Sequence, residues 1–247
     1  MYNYADSSRA SLVARLHART ELFRRQVHGP EDLAAFAAAV TASEDQAKRY
    51  EVIYCCEYLG FLDENERRVG CLLHPAQNGG SDLRGASFYG QELCEGHFCP
   101  SYHYLSPAEQ AALVGLLDDW YLYGLCVTDI DFVKSYFCIL SDRVGEMPRP
   151  EAFHHGPLRE AAHAFFSLKT DWPFRSASVR RFGKYYFDGS LYMIDHIDYA
   201  ALGCERSRFD TFFLCLASTF CTAADVREAE ALIEAHLAAS VAAYRKG

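Results

Sequence analysis

Apolar residues recur at helical spacing through most of this chain. Leu12, Leu16, Phe23 and Val27 mark one face, with Arg9, Arg15, Arg19, Arg24 and Arg25 filling the remainder, which predicts an amphipathic helix over residues 8–28. Gly29-Pro30 stops it, and Glu31-Asp32 opens a second helix through Val40, placing acidic side chains at its positive end. Ser106-Pro107-Ala108-Glu109 combines an N-cap serine, a first-turn proline and a reciprocal glutamate, and Leu113, Leu116, Leu117 and Trp120 follow on one face. Thr128 to Asp131 caps another helix with the stripe Val133, Tyr136, Phe137 and Leu140. Pro157 starts a short helix through Lys169, Ser207 to Asp210 begins one more, and Thr222 to Asp225 begins the last, carrying Val226, Ile233, Leu237, Val241 and Tyr244. Between them, Val179–Phe187 and Leu191–Ile194 flank Asp188-Gly189, a hairpin-turn pair.

From about Cys55 to Pro100 neither a helical nor an alternating period persists, and glycine is frequent (Gly60, Gly70, Gly79, Gly80, Gly85, Gly90, Gly96). So long an irregular stretch is uncommon in a compact domain unless something else orders it. The predicted fold is therefore mainly α with one β-hairpin at about 179–197 and an irregular cysteine- and glycine-rich segment at about 55–100. No repeat or low-complexity linker divides the sequence, so the expectation is a single domain over residues 1–247 with 55–100 as a metal-binding insertion.

The 247 residues are 50% hydrophobic and 23% charged, which excludes collagen-like, fibrous and disordered classes. A net charge of −9 gives no global attraction for nucleic acid or an anionic membrane. The aromatic and basic residues around the hairpin (Phe174, Arg175, Arg180, Arg181, Phe182, Tyr185, Tyr186) form too small a basic group to reverse that, and a hairpin packed by its own aromatics is the expectation. The start, Met1-Tyr2-Asn3-Tyr4-Ala5-Asp6, lacks the basic-then-apolar order of a secretory signal, and no run reaches the ~20 apolar residues of a membrane span. These features predict a cytoplasmic protein. In that reducing setting ten cysteines speak for burial or metal rather than disulfides.

Five of the ten cysteines lie in the irregular segment: Cys55, Cys56, Cys71, Cys94 and Cys99. Thiolates at Cys56, Cys71, Cys94 and Cys99 supply four soft donors, with Gly70 beside Cys71 and Gly96 between Cys94 and Cys99 easing the backbone around a ligand. Cys94-x4-Cys99-Pro100 is compatible with an iron–sulfur ligand pair. Cys71-x2-His74 and Cys94-x2-His97 suit zinc held by cysteine and histidine, although both histidines read first as supporting groups. Neighbouring side chains diverge, so one of Cys55 and Cys56 ligates, and Cys56 is preferred. Asp82 and Arg84 pair with each other or neutralise thiolate charge. The other cysteines, Cys126, Cys138, Cys204, Cys215 and Cys221, sit in apolar helical stretches and read as core.

The order Cys56…Phe61-Leu62-Asp63…Gly70-Cys71…Pro75…Cys94…Cys99 resembles the second half of the bacterial zinc- or iron-chelating cysteine-cluster proteins of the YkgJ type. The resemblance covers about residues 55–100, lacks that family's amino-terminal cysteine cluster, and has Pro75 closer to Cys71 than the family pattern. It implies an oxygen-sensitive or zinc-filled metal site.

Dinucleotide-fingerprint, phosphate-loop, zincin and nucleophile-elbow patterns are absent from the sequence. The first reading is thus an iron–sulfur cluster on Cys56, Cys71, Cys94 and Cys99 with a redox, sensing or structural role and an unidentified redox or protein partner. The alternatives are structural zinc in a binding module, and a metallohydrolase using His154, His155, His163 or His196.

Overall fold

A computed structural model describes all residues except 177–183, 189–190 and 247. The protein is mainly helical, with two small antiparallel hairpins among the described residues. It divides into two compact units, Met1–Phe98 and Cys99–Gly247.

The first unit is built on α1 (Arg9–Gln26) and α2 (Leu33–Ser43). The Ser8 hydroxyl accepts the N–H of Ser11, and Arg24 and Arg25 occupy the last turn of α1, where the helix dipole favours cations. At the entrance to α2 the Asp32 carboxylate accepts the N–H groups of His28 and Gly29 at 2.8 and 3.2 Å. Phe36 of α2, fully buried, meets the Phe23 ring edge-on at 5.3 Å and stacks on Tyr58 at 5.5 Å.

The stretch expected to lack regular structure contains a hairpin, β1 (Leu59–Phe61) and β2 (Val69–Cys71), in the register Leu59↔Cys71, Gly60↔Gly70 and Phe61↔Val69. Tyr58, Leu72 and Leu73 are buried in one apolar cluster with Leu33, Phe36 and Val40 of α2, and Phe61 is buried as well, so packing against α2 orders the segment. Each strand has three residues with glycine at its centre, too short and too glycine-centred to print an alternating pattern. Thr20 of α1 seats the hairpin: its hydroxyl donates to the Leu16 carbonyl at 2.8 Å and accepts the Phe61 N–H at 2.8 Å.

Gly60 is required for that seat. A Cβ there would stand 2.6 Å from Thr20 Oγ1 and 2.9 Å from both methyls of Leu72. Gly60→Ala is expected to destabilise the first unit by about 1–3 kcal/mol, the usual cost of overpacking. Denaturant unfolding followed by a probe in this unit checks it; an unchanged midpoint would show that the hairpin does not rest on α1. Gly70 likewise faces Leu62, whose Cδ1 lies 2.6 Å from the place of a Cβ. The unit ends in α3 (Gly90–Gly96), which has no buried residue.

The second unit opens with α4 (Pro100–Tyr104) and α5 (Pro107–Leu116). The capping box at α5 forms as the sequence predicts: Ser106 Oγ accepts the Glu109 N–H at 3.3 Å and Glu109 Oε2 accepts the Ser106 N–H at 2.7 Å. Trp120, expected on the same helix, instead begins α6 (Trp120–Thr128), because Asp119 caps a new helix by accepting the Leu122 N–H at 2.8 Å. Then come α7 (Ile130–Val144), α8 (Gly156–Phe166), the short α9 (Leu168–Asp171), the hairpin β3 (Tyr185–Asp188) and β4 (Leu191–Ile194), α10 (Asp210–Cys215) and α11 (Ala223–Tyr244).

The core of this unit is aromatic. Phe132, Tyr136, Phe137, Phe165, Phe166 and Phe212 are almost wholly buried, with Phe132 stacked on Phe165 at 4.9 Å. The Tyr136 hydroxyl donates to Ser240 Oγ at 3.1 Å, tying α7 to α11. The hairpin lies where the sequence places it, although Val179–Gly183 and the turn residue Gly189 fall outside the described residues. Its Tyr185 and Tyr192 rings stack at 4.9 Å, and the Tyr185 hydroxyl and the Lys184 ammonium both donate to Asp131 Oδ2, at 3.0 and 2.8 Å. Among the described residues no helix is long and apolar enough to cross a membrane.

Candidate metal centre

Cys56 lies just before β1 and Cys71 ends β2, so the hairpin brings two of the predicted ligands into one neighbourhood. Beyond Cys71 the chain folds back on itself. The Asn78 amide donates to the carbonyls of Leu72 and His74 at 2.8 and 2.9 Å, and the Leu83 N–H donates to the Leu73 carbonyl at 3.2 Å. This return carries Arg84 and Ser87 toward α3. There Ser87 Oγ and Cys94 Sγ are 3.0 Å apart, and Arg84 Nη1 donates to the Cys94 carbonyl at 3.2 Å.

The three thiols sense one another electrostatically in sequence. Burial pushes the Cys56 thiol up to about 11, the Tyr58 N–H turned toward its sulfur opposes this, and a thiolate at Cys71 adds to the rise. Burial also raises Cys71; the N–H groups of Leu73 and His74 and the charge of Arg84 work the other way, and a thiolate at Cys94 adds to the rise. Each of Cys56 and Cys71 thus has the backbone N–H of the second residue along facing its sulfur. The aromatic ring of Tyr54, near Cys56, packs at 4.8 Å from Phe88 and 5.3 Å from Tyr89.

The remaining predicted ligands are placed differently. Cys55 is buried against the amino group of Met1, which leaves Cys56 as the thiol grouped with Cys71. His74 uses Nδ1 to accept the Ala76 N–H at 3.1 Å, capping the turn Pro75–Gln77, and is a structural residue. His97 is exposed at the end of the first unit. Cys99 is exposed, opens the second unit and is the N-cap of α4, so the proline after it stands at the first position of a helix. Among the described residues no group of three or more histidine, cysteine, aspartate or glutamate side chains is arranged to hold a metal ion. The donor chemistry of Cys56, Cys71 and Cys94, two sulfurs served by backbone N–H groups and a third by the Ser87 hydroxyl, nevertheless suits a thiophilic ion.

Of the cysteines read as core, Cys126 and Cys215 are buried and Cys204 is partly so, while Cys138 and Cys221 are exposed. Cys138 lies on the outer face of α7, whose buried stripe is Phe132, Val133, Tyr136, Phe137 and Leu140. Cys221 stands immediately before the capping box Thr222…Asp225 of α11, a position outside the helix that its spacing already signals. It lines a cleft of about 550 Å3 with His196, Asp195, Asp198, Leu202 and Phe220.

The other histidines take local roles. A Cβ on Gly115 of α5 would stand 2.0 Å from the His154 ring, so that ring packs closely on the helix. His163 Nδ1 is 3.4 Å from Ser167 Oγ, and His155 is exposed at the N-cap of α8.

In comparisons with known proteins, no family model matches the chain, and neither curated proteins nor solved structures give a match.

Proposed function

We propose that the first unit is a metal-binding module in which thiolates of Cys56, Cys71 and Cys94 hold a thiophilic ion, with zinc as the occupant these donors suit best. The observation that carries this reading is that the β1–β2 hairpin and the fold-back after it gather Cys56, Cys71 and Cys94 with polar donors beside the sulfurs, the Ser87 hydroxyl 3.0 Å from Cys94 Sγ among them. A neutral thiol is a weak acceptor and gains little from such donors, whereas a metal-bound thiolate keeps most of its charge and is stabilised by them. Three thiolates leave a fourth position of a tetrahedral ion for a nitrogen or oxygen donor. Convergence of the sulfurs on the ion couples its binding energy to the order of the loop between β2 and α3. An iron–sulfur cluster, which the Cys94…Cys99-Pro100 spacing favours, is the second reading and needs a fourth thiolate.

The test is elemental analysis and an absorption spectrum on untagged protein purified without oxygen. The expected sample is colourless, carries about one zinc per chain, and gives thiolate-to-cobalt charge-transfer bands when zinc is replaced by cobalt. Cys56→Ser, Cys71→Ser and Cys94→Ser are each expected to lose most of the metal, and His196→Ala to retain it. Brown protein with iron and labile sulfide selects the cluster instead. Reduced protein that holds neither metal overturns the proposal, and metal lost with His196 but kept in the cysteine variants transfers it to the histidines.

A further inference from the structure

The guanidinium of Arg84 is an unusual group to find beside a set of thiols, because it is 8% exposed and is fixed on several sides. Asp82 grips it as a fork, with Nε to Oδ1 at 2.8 Å and Nη2 to Oδ2 at 2.6 Å. Its remaining nitrogen, Nη1, donates to the Cys94 carbonyl at 3.2 Å, and the exposed Glu95 places Oε1 4.0 Å from Nη2. Asp82 is itself held by the Arg84 N–H at 3.0 Å and the Gln91 amide at 3.3 Å, so the fork is tied to the helix that carries Cys94 as well as to its own loop. The arginine side chain, its aspartate and the Ser87 hydroxyl on Cys94 Sγ together span the gap between the segment after β2 and the start of α3.

We infer that Arg84, aimed by Asp82, is a positioning residue that holds Cys94 within reach of Cys71 and balances the negative charge of the loaded thiolates. This rests on the metal reading above. A divalent ion on three thiolates carries one net negative charge, and the guanidinium of Arg84, 8% exposed and bonded to the Cys94 carbonyl, offsets it. Arginine rather than lysine is demanded by the geometry, since one planar group must meet a carboxylate with two nitrogens and a carbonyl with a third. Asp82 does not ligate in this arrangement, because both of its oxygens are taken by the fork.

The experiment compares full-length wild type with Arg84→Met, Arg84→Lys and Asp82→Asn. Cobalt(II) affinity is measured by chelator competition, and the cobalt-loaded proteins are then treated with N-ethylmaleimide and their labelled cysteines located by mass spectrometry. Arg84→Met is expected to weaken cobalt by about 10–100-fold, the usual effect of removing a group that supports a ligand. It is also expected to open Cys94 to labelling while Cys56 and Cys71 stay protected. Arg84→Lys regains part of the affinity but leaves Cys94 labelled, and Asp82→Asn, which keeps the charge and loosens the fork, behaves the same way. Affinity and protection equal to wild type in Arg84→Met overturns the inference, as does equal labelling of all three cysteines in a variant with wild-type circular dichroism. A short bis-maleimide cross-linker, which adds one cysteine thiol to each of its two double bonds, applied to the metal-free proteins separates this claim from the metal reading. Cross-linking of Cys71 to Cys94 in wild type and its loss in Arg84→Met or Asp82→Asn support the positioning role even where cobalt does not bind; equal cross-linking, or none in wild type, overturns it.

Discussion

Replacing Lys169 with methionine is expected to lower the stability of the second unit by about 3–5 kcal/mol, the cost of leaving one partner of a buried ion pair behind. Lys169 and Asp129 are 4% and 5% exposed. The ammonium donates to Asp129 Oδ2 and to the Cys215 carbonyl, the latter at 2.9 Å, and lies 5.8 Å from the centre of the Phe132 ring. Burial pushes the Asp129 carboxyl up, and the Lys169 charge is the main force holding it down. Asp129 Oδ1 has no hydrogen-bond partner among the described residues, so without Lys169 the carboxylate loses its chief compensation. At roughly 2–4 °C per kcal/mol, the melting temperature falls by ~10 °C. The double variant Asp129→Asn, Lys169→Met is expected to recover at least half of the loss, because it removes the stranded charge together with its partner. Thermal unfolding checks both. A single variant within about 1 kcal/mol of wild type would mean that water reaches the pair.

The contrast between this pair and its surroundings shows what the amino-acid pattern reveals. The capping boxes at Ser106…Glu109 and Thr222…Asp225 depend on contacts three residues apart, and both form where the pattern places them. The stripe of α7 likewise follows from a period that one helix writes by itself. Asp129 was readable as a cap, yet its side chain caps nothing, because a lysine forty residues away claims it. Lys169 carried a signal of its own: it follows Phe165-Phe166-Ser167-Leu168, and a lysine in so apolar a run needs a buried partner. The first hairpin left less trace. Gly60 and Gly70, which look like turn residues, are instead where a strand lies close against α1 and against Leu62. Cysteine spacing groups Cys56, Cys71, Cys94 and Cys99, but it carries no sign that Cys99 opens the second unit as a helix N-cap, and the way Asp82 and Arg84 join the Cys71 loop to α3 depends on how the intervening glycine-rich loop turns back.

A second large loss is expected at Arg19, which the helical pattern counts among the solvent-facing arginines of α1. Its side chain is 3% exposed. Nε and Nη2 donate to the two oxygens of Glu44 at 2.6 and 2.7 Å, Nη2 also donates to the Tyr4 hydroxyl at 2.7 Å, and Nη1 donates to the Cys56 carbonyl at 2.9 Å. Burial works against the charge of Arg19, and the carboxylate and phenol more than compensate. Arg19→Met strands Glu44, whose other partner is Arg15 at 2.8 Å, and removes the donor from the backbone of a proposed metal ligand. The expected cost is about 3–5 kcal/mol in the first unit. Arg19→Lys keeps the charge but presents one compact ammonium to three acceptors on separate segments, so it is expected to recover no more than half. Metal content then separates support of the fold from support of the site. Measured well below the unfolding midpoint, Arg19→Met is expected to bind cobalt about 10-fold more weakly, because the loop that sets Cys56 beside β1 has lost its anchor. Arg15→Met, which removes the more peripheral contact to the same carboxylate and touches no cysteine, is expected to leave cobalt affinity unchanged. Equal weakening by both variants would assign the effect to the stability of α1 and not to the carbonyl of Cys56.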